Sequence, residues 1–214
     1  RRLPVSLSDS KDRRPIVAED SEADLAVTAL PSDGIVAPSV SFARMAAARL
    51  EGWVAASADA LGGIDIVVAN VSALAVDDSE EAWRKQFDVD MLHTVRTVNA
   101  AMPWLERSKS PSITIVSSVS GREIDFTGPA YGAMKEALIH YAHGLAHKLA
   151  PKMIRVNSVS PGNTYFPGGI WQWIENNNKE LFAQALALNP TGRMATAGEV
   201  ARGIVFLASP ASSF

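Results

Sequence analysis

The chain has 214 residues, of which 47% are hydrophobic and 20% are charged, and its formal net charge is −3. These values are those of an ordinary globular domain, and the slightly negative charge argues against nucleic acid or an anionic membrane as a partner, because both attract basic surfaces. With no cysteine, disulfides and thiolate metal sites are excluded, which favours a cytoplasmic, reducing compartment.

The first 42 residues show little regular pattern. The heptapeptide DLAVTAL is compatible with a strand, whereas SLSDSKDRR has no clear period. The N-terminus lacks the apolar core of a secretory signal, and no run of 18 apolar residues suggests a membrane span. The charged beginning and the ending in SPASSF suggest that the natural molecule extends further or that part of it is missing here.

From residue 43 onward, helices alternate with strands. Alanine-rich residues up to Leu61 predict a helix that Gly62 and Gly63 end. Asp78 and Ser79 are suited to cap a long helix over residues 80–106. Further helices are predicted at 129–150, with proline in the first turn, and at 197–209, and buried strands are predicted at 64–70, 112–118 and 153–160.

Strands and helices that alternate with these connection lengths predict right-handed crossovers between parallel strands. The predicted fold class is therefore α/β, a doubly wound parallel sheet with helices on both faces, in three layers. We expect a single domain over residues 1–214, in which 1–42 fit the pattern poorly and 163–190 form an irregular, aromatic segment that covers the substrate.

A serine, a tyrosine and a lysine are expected to meet at one edge of this sheet. Ser117 and Ser118 follow the strand SITIV, and ligands bind beyond the carboxyl ends of parallel strands. Tyr131 and Lys135 are four residues apart and so share one face of the next helix. The connecting loop is long enough to bring the start of that helix over Ser118, whereas Ser117 points to the other side of the strand.

These three groups suit the reduction of a ketone or the oxidation of a secondary alcohol. The Lys135 ammonium favours the phenolate form of Tyr131, which makes the phenol a better proton donor and acceptor near neutral pH. Ser118 can donate a hydrogen bond to the carbonyl oxygen, where negative charge grows as hydride arrives. The hydride has to come from a cofactor, because no side chain can supply it.

Residues 62–214 resemble the short-chain dehydrogenase/reductase family, whose fold is Rossmann-like. The family motif Tyr-x-x-x-Lys is matched by YGAMK, and the family's serine thirteen residues upstream by Ser118. The family's Asn-Asn-Ala-Gly strand end is matched in part by ANVS, which keeps Asn70, and its Pro-Gly after the next strand by Pro161 and Gly162. Residues 189–212 are similar to the family's late helix.

The resemblance implies an NAD(P)(H)-dependent oxidoreductase that interconverts a ketone and a secondary alcohol. It implies Ser118, Tyr131 and Lys135 as catalytic residues, with Lys135 also holding the nicotinamide ribose. Cofactor contacts are implied for Asn70, Tyr131, Lys135, Pro161, Gly162 and Thr164, although the family's usual threonine position falls on Phe166. Family members pack through two long helices, so a homodimer or homotetramer is expected.

The chain departs from the family at a fourth catalytic position, where the family's asparagine falls on Asp90. In the family, the backbone carbonyl of that residue holds a water molecule linked to the lysine. A backbone role survives the change from asparagine to aspartate. The resemblance therefore implies that Asp90 supports the relay, with an altered pH dependence.

The family's glycine-rich turn, Thr-Gly-x-x-x-Gly-x-Gly, has no counterpart here. The best register lays it on SLSDSKDR and puts Leu7, Lys11 and Arg13 at the glycine positions, where side chains would crowd the pyrophosphate. The acidic residue that contacts adenine is also missing, since FARMA occupies its place. The expected cofactor is therefore NAD or NADP, and the sequence offers no basis for choosing between them.

The segment GNTYFPGGIWQWIENNNKELF is suited to close over the substrate. Its glycines allow hinging, and Tyr165, Phe166, Trp171 and Trp173 offer a bulky apolar wall. We therefore expect a small carbonyl or alcohol substrate that is apolar or ring-shaped. The alternative is that these aromatic side chains pack a core beneath a loop.

Two other groups of polar residues have competing interpretations. His140, His143 and His147 could suggest a metal, but on a helix they lie well away from the tyrosine face, so a subunit interface or solvent is favoured and no metal site is predicted. Glu123 and Asp125 could meet a polar group of the substrate, although a solvated loop is the simpler interpretation.

Two rival functions follow from the same sequence. A non-catalytic protein with this fold, a sensor or scaffold subunit with a degraded cofactor site, is favoured by the missing glycines and opposed by the complete serine, tyrosine and lysine set. A lyase or epimerase on the related extended fold is disfavoured, because no substrate domain follows the late helix.

Overall fold

A computed structural model describes residues 15–18, 28–29, 36–37, 47–75 and 77–214. Its main sheet has six strands in the order β2-β3-β1-β4-β5-β6. The strands are β1 Pro15–Ala18, β2 Thr28–Ala29, β3 Val36–Ala37, β4 Ile66–Ala69, β5 Ser112–Val116 and β6 Arg155–Val159. Every pair is parallel except β2 with β3, which confirms the predicted parallel sheet.

Seven α-helices accompany the sheet in the described part of the chain. They are α1 Ala47–Leu61, α2 Glu80–Gln86, α3 His93–Leu105, α4 Pro129–Leu149, α5 Ile170–Asn177, α6 Lys179–Ala187 and α7 Ala197–Ala208. A π-helical segment, Phe87–Leu92, joins α2 to α3, and 3-10 turns occupy Val119–Gly121 and Ala150–Lys152. Two short strands, β7 Thr164–Tyr165 and β8 Ala195–Thr196, pair in parallel. None of the helices in this part of the chain is long and apolar enough to cross a membrane.

The two faces of the sheet bury different side chains. Along β4, Val67 and Ala69 belong to the larger core beneath α1, α3 and α4, whereas Ile66 and Val68 pack on the opposite face with Ala208 of α7. Successive residues of a strand point to opposite faces, so an apolar run is buried on both sides only when helices cover both. The chain is therefore a three-layer αβα domain, as predicted.

The residues predicted to begin and end the helices do so in the structure. Gly62, with φ of 71°, ends α1 in a left-handed conformation that glycine adopts without strain. The Ser79 hydroxyl accepts a hydrogen bond from the Ala82 backbone N–H at 3.1 Å and caps α2. Pro129 is the first residue of α4. The predicted helix over 80–106 is helical throughout, although its middle is wound as a π-helix.

The N-terminal strands are only partly anticipated by the sequence. The expected strand in DLAVTAL includes β2 at Thr28–Ala29, but β1 lies next to β4 at the centre of the sheet and was not predicted. Four residues bounded by charged neighbours are too short for a periodic signal. The alignment of the glycine-rich turn with SLSDSKDR uses Leu7, Lys11 and Arg13. These residues and the segment FARMA lie outside the described residues.

The prediction of an irregular segment at 163–190 is wrong, because α5 and α6 occupy most of it. The Asn178 side chain accepts a hydrogen bond from the Leu181 backbone N–H and starts α6 just after α5 ends. Trp171, Ile174, Ala185 and Met194 form a small core that is separate from the main core. Each helix is short, and its apolar face is buried against its neighbour rather than against the main sheet.

Candidate active site

The first two turns of α4 bring Tyr131 and Lys135 to the carboxyl end of β5. Lys135 is buried, and its Nζ lies 5.5 Å from the centroid of the Tyr131 ring. The same Nζ lies 3.5 Å from the carbonyl oxygen of Val116, the last residue of β5. A cation within about 6 Å of an aromatic ring is attracted to its face. The predicted pairing of the two side chains on one helical face is therefore observed.

Asp90 contacts Lys135 directly through its side chain. Its Oδ2 lies 3.0 Å from Lys135 Nζ, and both side chains are almost completely excluded from solvent. The same oxygen accepts a hydrogen bond from the Ser72 hydroxyl at 2.7 Å, and Oδ1 accepts one from the Ala73 backbone N–H at 2.8 Å. Several donors therefore compensate the buried carboxylate, as burial of a charge requires.

The backbone of Asp90 makes a different contact. Its carbonyl oxygen accepts a hydrogen bond from the Thr94 hydroxyl at 2.7 Å. The sequence assigned Asp90 a backbone role only, and the ion pair of its side chain was missed. The available signal was the aspartate itself, because a carboxylate in a buried position calls for a nearby cation and hydrogen-bond donors. The π-helical winding of Phe87–Leu92, a feature common at functional sites, carries Asp90.

His93 is also buried and ionisable, but it does not add a second positive charge beside Asp90. Burial lowers the pKa of His93 to about 4, with a further lowering by the Arg96 guanidinium and an opposing effect of Asp90. The imidazole is therefore neutral at pH 7. Lys135 is the cation that faces the Asp90 carboxylate.

The two serines after β5 have separate tasks. Ser117 is buried, and its hydroxyl donates to the Lys135 carbonyl oxygen at 2.6 Å, which fixes α4 to the strand. Ser118 is 9% exposed and starts the 3-10 turn Val119–Gly121. Its Oγ accepts a hydrogen bond from the Ser120 backbone N–H at 3.2 Å. The predicted structural role of Ser117 agrees with its contact.

Two glycines let this 3-10 turn lie directly against α4. A Cβ atom at Gly121 would lie 2.6 Å from the backbone nitrogen of Glu136, and a Cβ atom at Gly132 would lie 2.8 Å from the carbonyl oxygen of Ser120. Both distances are shorter than carbon atoms tolerate, and both obstacles are backbone. The approach of the Ser118 turn to the start of α4 therefore depends on the absence of side chains at these positions.

Replacing Gly132 with alanine is expected to destabilise the fold by roughly 1–3 kcal/mol, because the added methyl group forces the Ser120 backbone away from α4. Gly144→Ala is the matched control, since it lies in the same helix and a Cβ there meets nothing within 4 Å. Its better helix propensity should stabilise the chain by up to about 1 kcal/mol. Urea denaturation measures both, and equal stabilities would contradict the close packing.

The predicted cofactor residues lie at the carboxyl ends of neighbouring strands. Asn70 directly follows β4. After β6, the Pro161 carbonyl oxygen accepts a hydrogen bond from the Val119 backbone N–H at 2.9 Å, which ties this strand end to the Ser118 turn. The Thr164 hydroxyl donates to the Gly162 carbonyl oxygen at 3.0 Å. Parallel topology therefore brings these residues to the same edge as Ser118.

The four aromatic residues proposed to cover the substrate divide into two pairs. Trp171 is 5% exposed and Tyr165 packs beside it, with both rings in edge contact with Phe182. Phe166 and Trp173 are exposed by 44% and 58%. Tyr165 and Trp171 therefore pack in a core, which is the alternative to covering the substrate that the sequence analysis raised.

The 163–190 segment also contacts the loop that precedes Tyr131. The rings of Phe126 and Trp171 meet edge to face with their centroids 5.0 Å apart. The Tyr165 hydroxyl donates to Glu175 at 2.5 Å, and this hydrogen bond is the main reason that the pKa of Tyr165 is raised. The ring contact therefore attaches the segment to the loop that precedes Tyr131.

The histidines of α4 point away from this group. His140, His143 and His147 are all exposed, in agreement with the prediction from helical geometry. Within the residues that the structure describes, no three metal-binding side chains cluster.

Comparisons with known proteins identify the family to which the chain belongs. A family model described as enoyl-(acyl carrier protein) reductase matches residues 25–214. The isoepoxydon dehydrogenase of Penicillium expansum is 40% identical over 163 residues, which cover 76% of this chain and 63% of that enzyme. The chain thus spans less than two thirds of the length of this relative.

Solved structures agree with the sequence comparisons. An oxidoreductase of the short-chain dehydrogenase/reductase family from Burkholderia thailandensis has 30% identity and a TM-score of 0.71, over 83% of this chain and 68% of that one. A 3-oxoacyl-[acyl-carrier protein] reductase with bound NAD from Brucella melitensis has 28% identity and a TM-score of 0.66, over 83% of this chain and 66% of that one. The chain belongs to the short-chain dehydrogenase/reductase family.

Proposed function

We propose that this chain interconverts a ketone and a secondary alcohol by hydride transfer with NAD or NADP. The observation that carries the proposal is the buried Lys135 ammonium, which lies 5.5 Å from the Tyr131 ring at the strand end that holds Ser118. The names of its relatives, a dehydrogenase and a reductase with bound NAD, point to the same class of reaction.

In this proposal Tyr131 is the general acid and base. Its hydroxyl protonates the substrate oxygen during reduction and takes the proton back during oxidation. The Lys135 ammonium stabilises the phenolate that each transfer leaves, and burial strengthens that effect because water screens the charge less. Asp90 holds the ammonium in place through its ion pair at 3.0 Å. Ser118 contacts the substrate.

The residues at the strand ends suit the nicotinamide ribose of the cofactor. Lys135 has three N–H donors, and within the described part of the chain Asp90 and the Val116 carbonyl accept from it, which leaves one donor for a ribose hydroxyl. Asn70, Pro161, Gly162 and Thr164 would line the same edge. When bound, the nicotinamide supplies or accepts the hydride. No pyrophosphate contact is proposed, because the glycine-rich turn is missing from the sequence.

The test is a titration with NADH and with NADPH that follows nicotinamide fluorescence, with the Lys135→Met variant beside wild type. We expect saturable binding of at least one cofactor by wild type and much weaker binding by the variant. Lys148→Met, at the exposed end of α4, is the matched control and should bind like wild type. Binding of neither cofactor by wild type would reject the proposal and support the non-catalytic alternative.

The proposal extends to the substrate and to the assembly. The exposed rings of Phe166 and Trp173 favour a small, apolar or ring-shaped carbonyl or alcohol substrate. A homodimer or homotetramer is proposed from the family's mode of packing. Light scattering on the purified chain would measure the assembly directly.

A further inference from the structure

The buried pair of Asp90 and Lys135 carries no net charge. Asp90 Oδ2 lies 3.0 Å from Lys135 Nζ, and both side chains are closed to solvent. The Ser72 hydroxyl and the Ala73 backbone N–H also donate to this carboxyl group, at 2.7 and 2.8 Å. An arrangement in which every partner donates suits an ionised carboxylate, because that group only accepts hydrogen bonds. The negative charge of Asp90 therefore offsets the positive charge of the ammonium.

The Asp90 carboxylate is the reason that Lys135 is not a lone positive charge. An asparagine, which the family has at this position, is uncharged and would leave the ammonium uncompensated. His93 adds no charge at pH 7, because burial lowers its pKa to about 4. Both members of the pair are buried, so water screens their charges less than it would screen those of exposed groups.

The two redox forms of a nicotinamide cofactor differ by one charge at the ring. The oxidised ring is positively charged, and the hydride that reduces it leaves it neutral. Lys135 is the residue proposed to hold the nicotinamide ribose, so the charge beside Lys135 acts on this ring. A lone buried ammonium repels the oxidised ring, and the Asp90 carboxylate offsets that repulsion.

We propose that Asp90 sets the preference of the chain between the two redox forms, because its carboxylate raises the affinity for the oxidised form relative to the reduced form. This inference rests on the proposed function, in which Lys135 holds the nicotinamide ribose. It gives Asp90 a role of charge in addition to that of holding Lys135 in place. A chain loaded with the oxidised form takes hydride from an alcohol, so the carboxylate biases the loading of the chain towards alcohol oxidation.

The carboxylate acts on binding and not on the chemical step. In alcohol oxidation the substrate carbon gives a hydride to the nicotinamide, and the substrate hydroxyl gives its proton to the Tyr131 phenolate. The hydride cancels one positive charge on the ring, and the proton cancels one negative charge on Tyr131. The net charge of the site is therefore the same before and after the transfer, and a nearby carboxylate changes the balance between bound reactants and bound products little.

The experiment measures the dissociation constants of NAD⁺, NADH, NADP⁺ and NADPH on the full chain by titration calorimetry, for wild type and for Asp90→Asn. Asp90→Asn removes the charge but keeps the size of the side chain and an oxygen for the Ala73 N–H. The ratio of the oxidised to the reduced constant isolates the charge, because a loosened site would weaken both forms alike. We expect this ratio to rise roughly tenfold in the variant, as one unit charge acting on another through an effective dielectric constant of about 20 can produce.

Two further variants separate charge from structure. Asp88→Asn makes the same change at an exposed aspartate of the same π-helical segment, and its ratio should stay within about twofold of wild type because water screens that charge. Asp90→Glu keeps the buried negative charge. It should therefore keep the wild-type ratio even where its larger side chain lowers both affinities.

The possible outcomes distinguish this inference from the proposed function. An unchanged ratio in Asp90→Asn, or an equal rise in Asp88→Asn, would overturn the role of Asp90 and leave the proposed function standing. If Asp90→Asn does not fold, wild type decides, since a preference for the reduced form above about tenfold would show that the carboxylate does not offset the ammonium. A smaller preference, kept by Asp90→Glu, supports the inference. Binding of no cofactor by wild type would reject the proposed function and this role of Asp90 with it.

Discussion

Replacing Tyr131 with phenylalanine is expected to lower kcat by roughly 10²–10⁴-fold, which is the usual contribution of a general acid or base. The ring, and with it the contact to the Lys135 ammonium at 5.5 Å, is kept, so the fold should be unchanged. The variant removes only the hydroxyl that would exchange a proton with the substrate. Initial rates of cofactor oxidation with a reactive ketone, together with thermal unfolding, measure the two effects.

Tyr141→Phe is the matched control for that variant. Tyr141 lies in the same helix but ten residues, or about 15 Å, beyond Tyr131. It packs against the main core and has a pKa raised by its burial. Its loss should leave kcat within about twofold of wild type. Undiminished turnover of the Tyr131 variant would remove the proposed acid, whatever the control does.

Replacing Asp90 with alanine is expected to destabilise the chain by roughly 3–5 kcal/mol, the usual result when one partner of a buried ion pair is removed. The Lys135 ammonium would stay buried and, among the residues that the structure describes, would keep the Val116 carbonyl at 3.5 Å as its acceptor. The Ser72 hydroxyl and the Ala73 N–H would also lose their acceptor. Turnover should fall as well, because the ammonium would no longer be held beside Tyr131.

Asp88→Ala separates this effect from a general weakening of the π-helical segment. Asp88 lies in the same segment but is exposed, so its replacement should change stability by no more than about 0.5 kcal/mol. Urea denaturation of both variants gives the comparison. A loss below about 1 kcal/mol for Asp90→Ala would mean that the buried pair is not formed in solution.

Much of the fold is already present in the periodic pattern of the chain. Residues 66–69 are apolar at every position and residues 112–116 are mostly apolar, which is typical of strands buried on both faces. The helices after them repeat apolar residues at helical spacing. The prediction of secondary structure failed where a strand is short and where helices pack mainly against each other. β1 is four residues long, and α5 and α6 bury their apolar faces against each other in a small separate core.

In the candidate site, too, some features could be predicted from the sequence and others could not. The spacing of Ser118, Tyr131 and Lys135 is a local property, because a strand end and one helical turn set the directions of these side chains, and the sequence alone identifies them. The contact between Asp90 and Lys135 joins the π-helical segment to α4, and Ser72 reaches the same carboxylate from the end of β4. Contacts of this kind depend on how separate elements pack, so the sequence pattern did not predict them.

Sequence therefore determined the family, the layers and the three side chains proposed to react, since periodicity and motif spacing act over a few residues. Only the tertiary structure decided that the Asp90 carboxylate faces the lysine and that Ser72 and the Ala73 backbone donate to the same carboxylate. The physical reason is that a buried charge or hydroxyl takes its state from whichever partners surround it, and those partners come from distant parts of the chain.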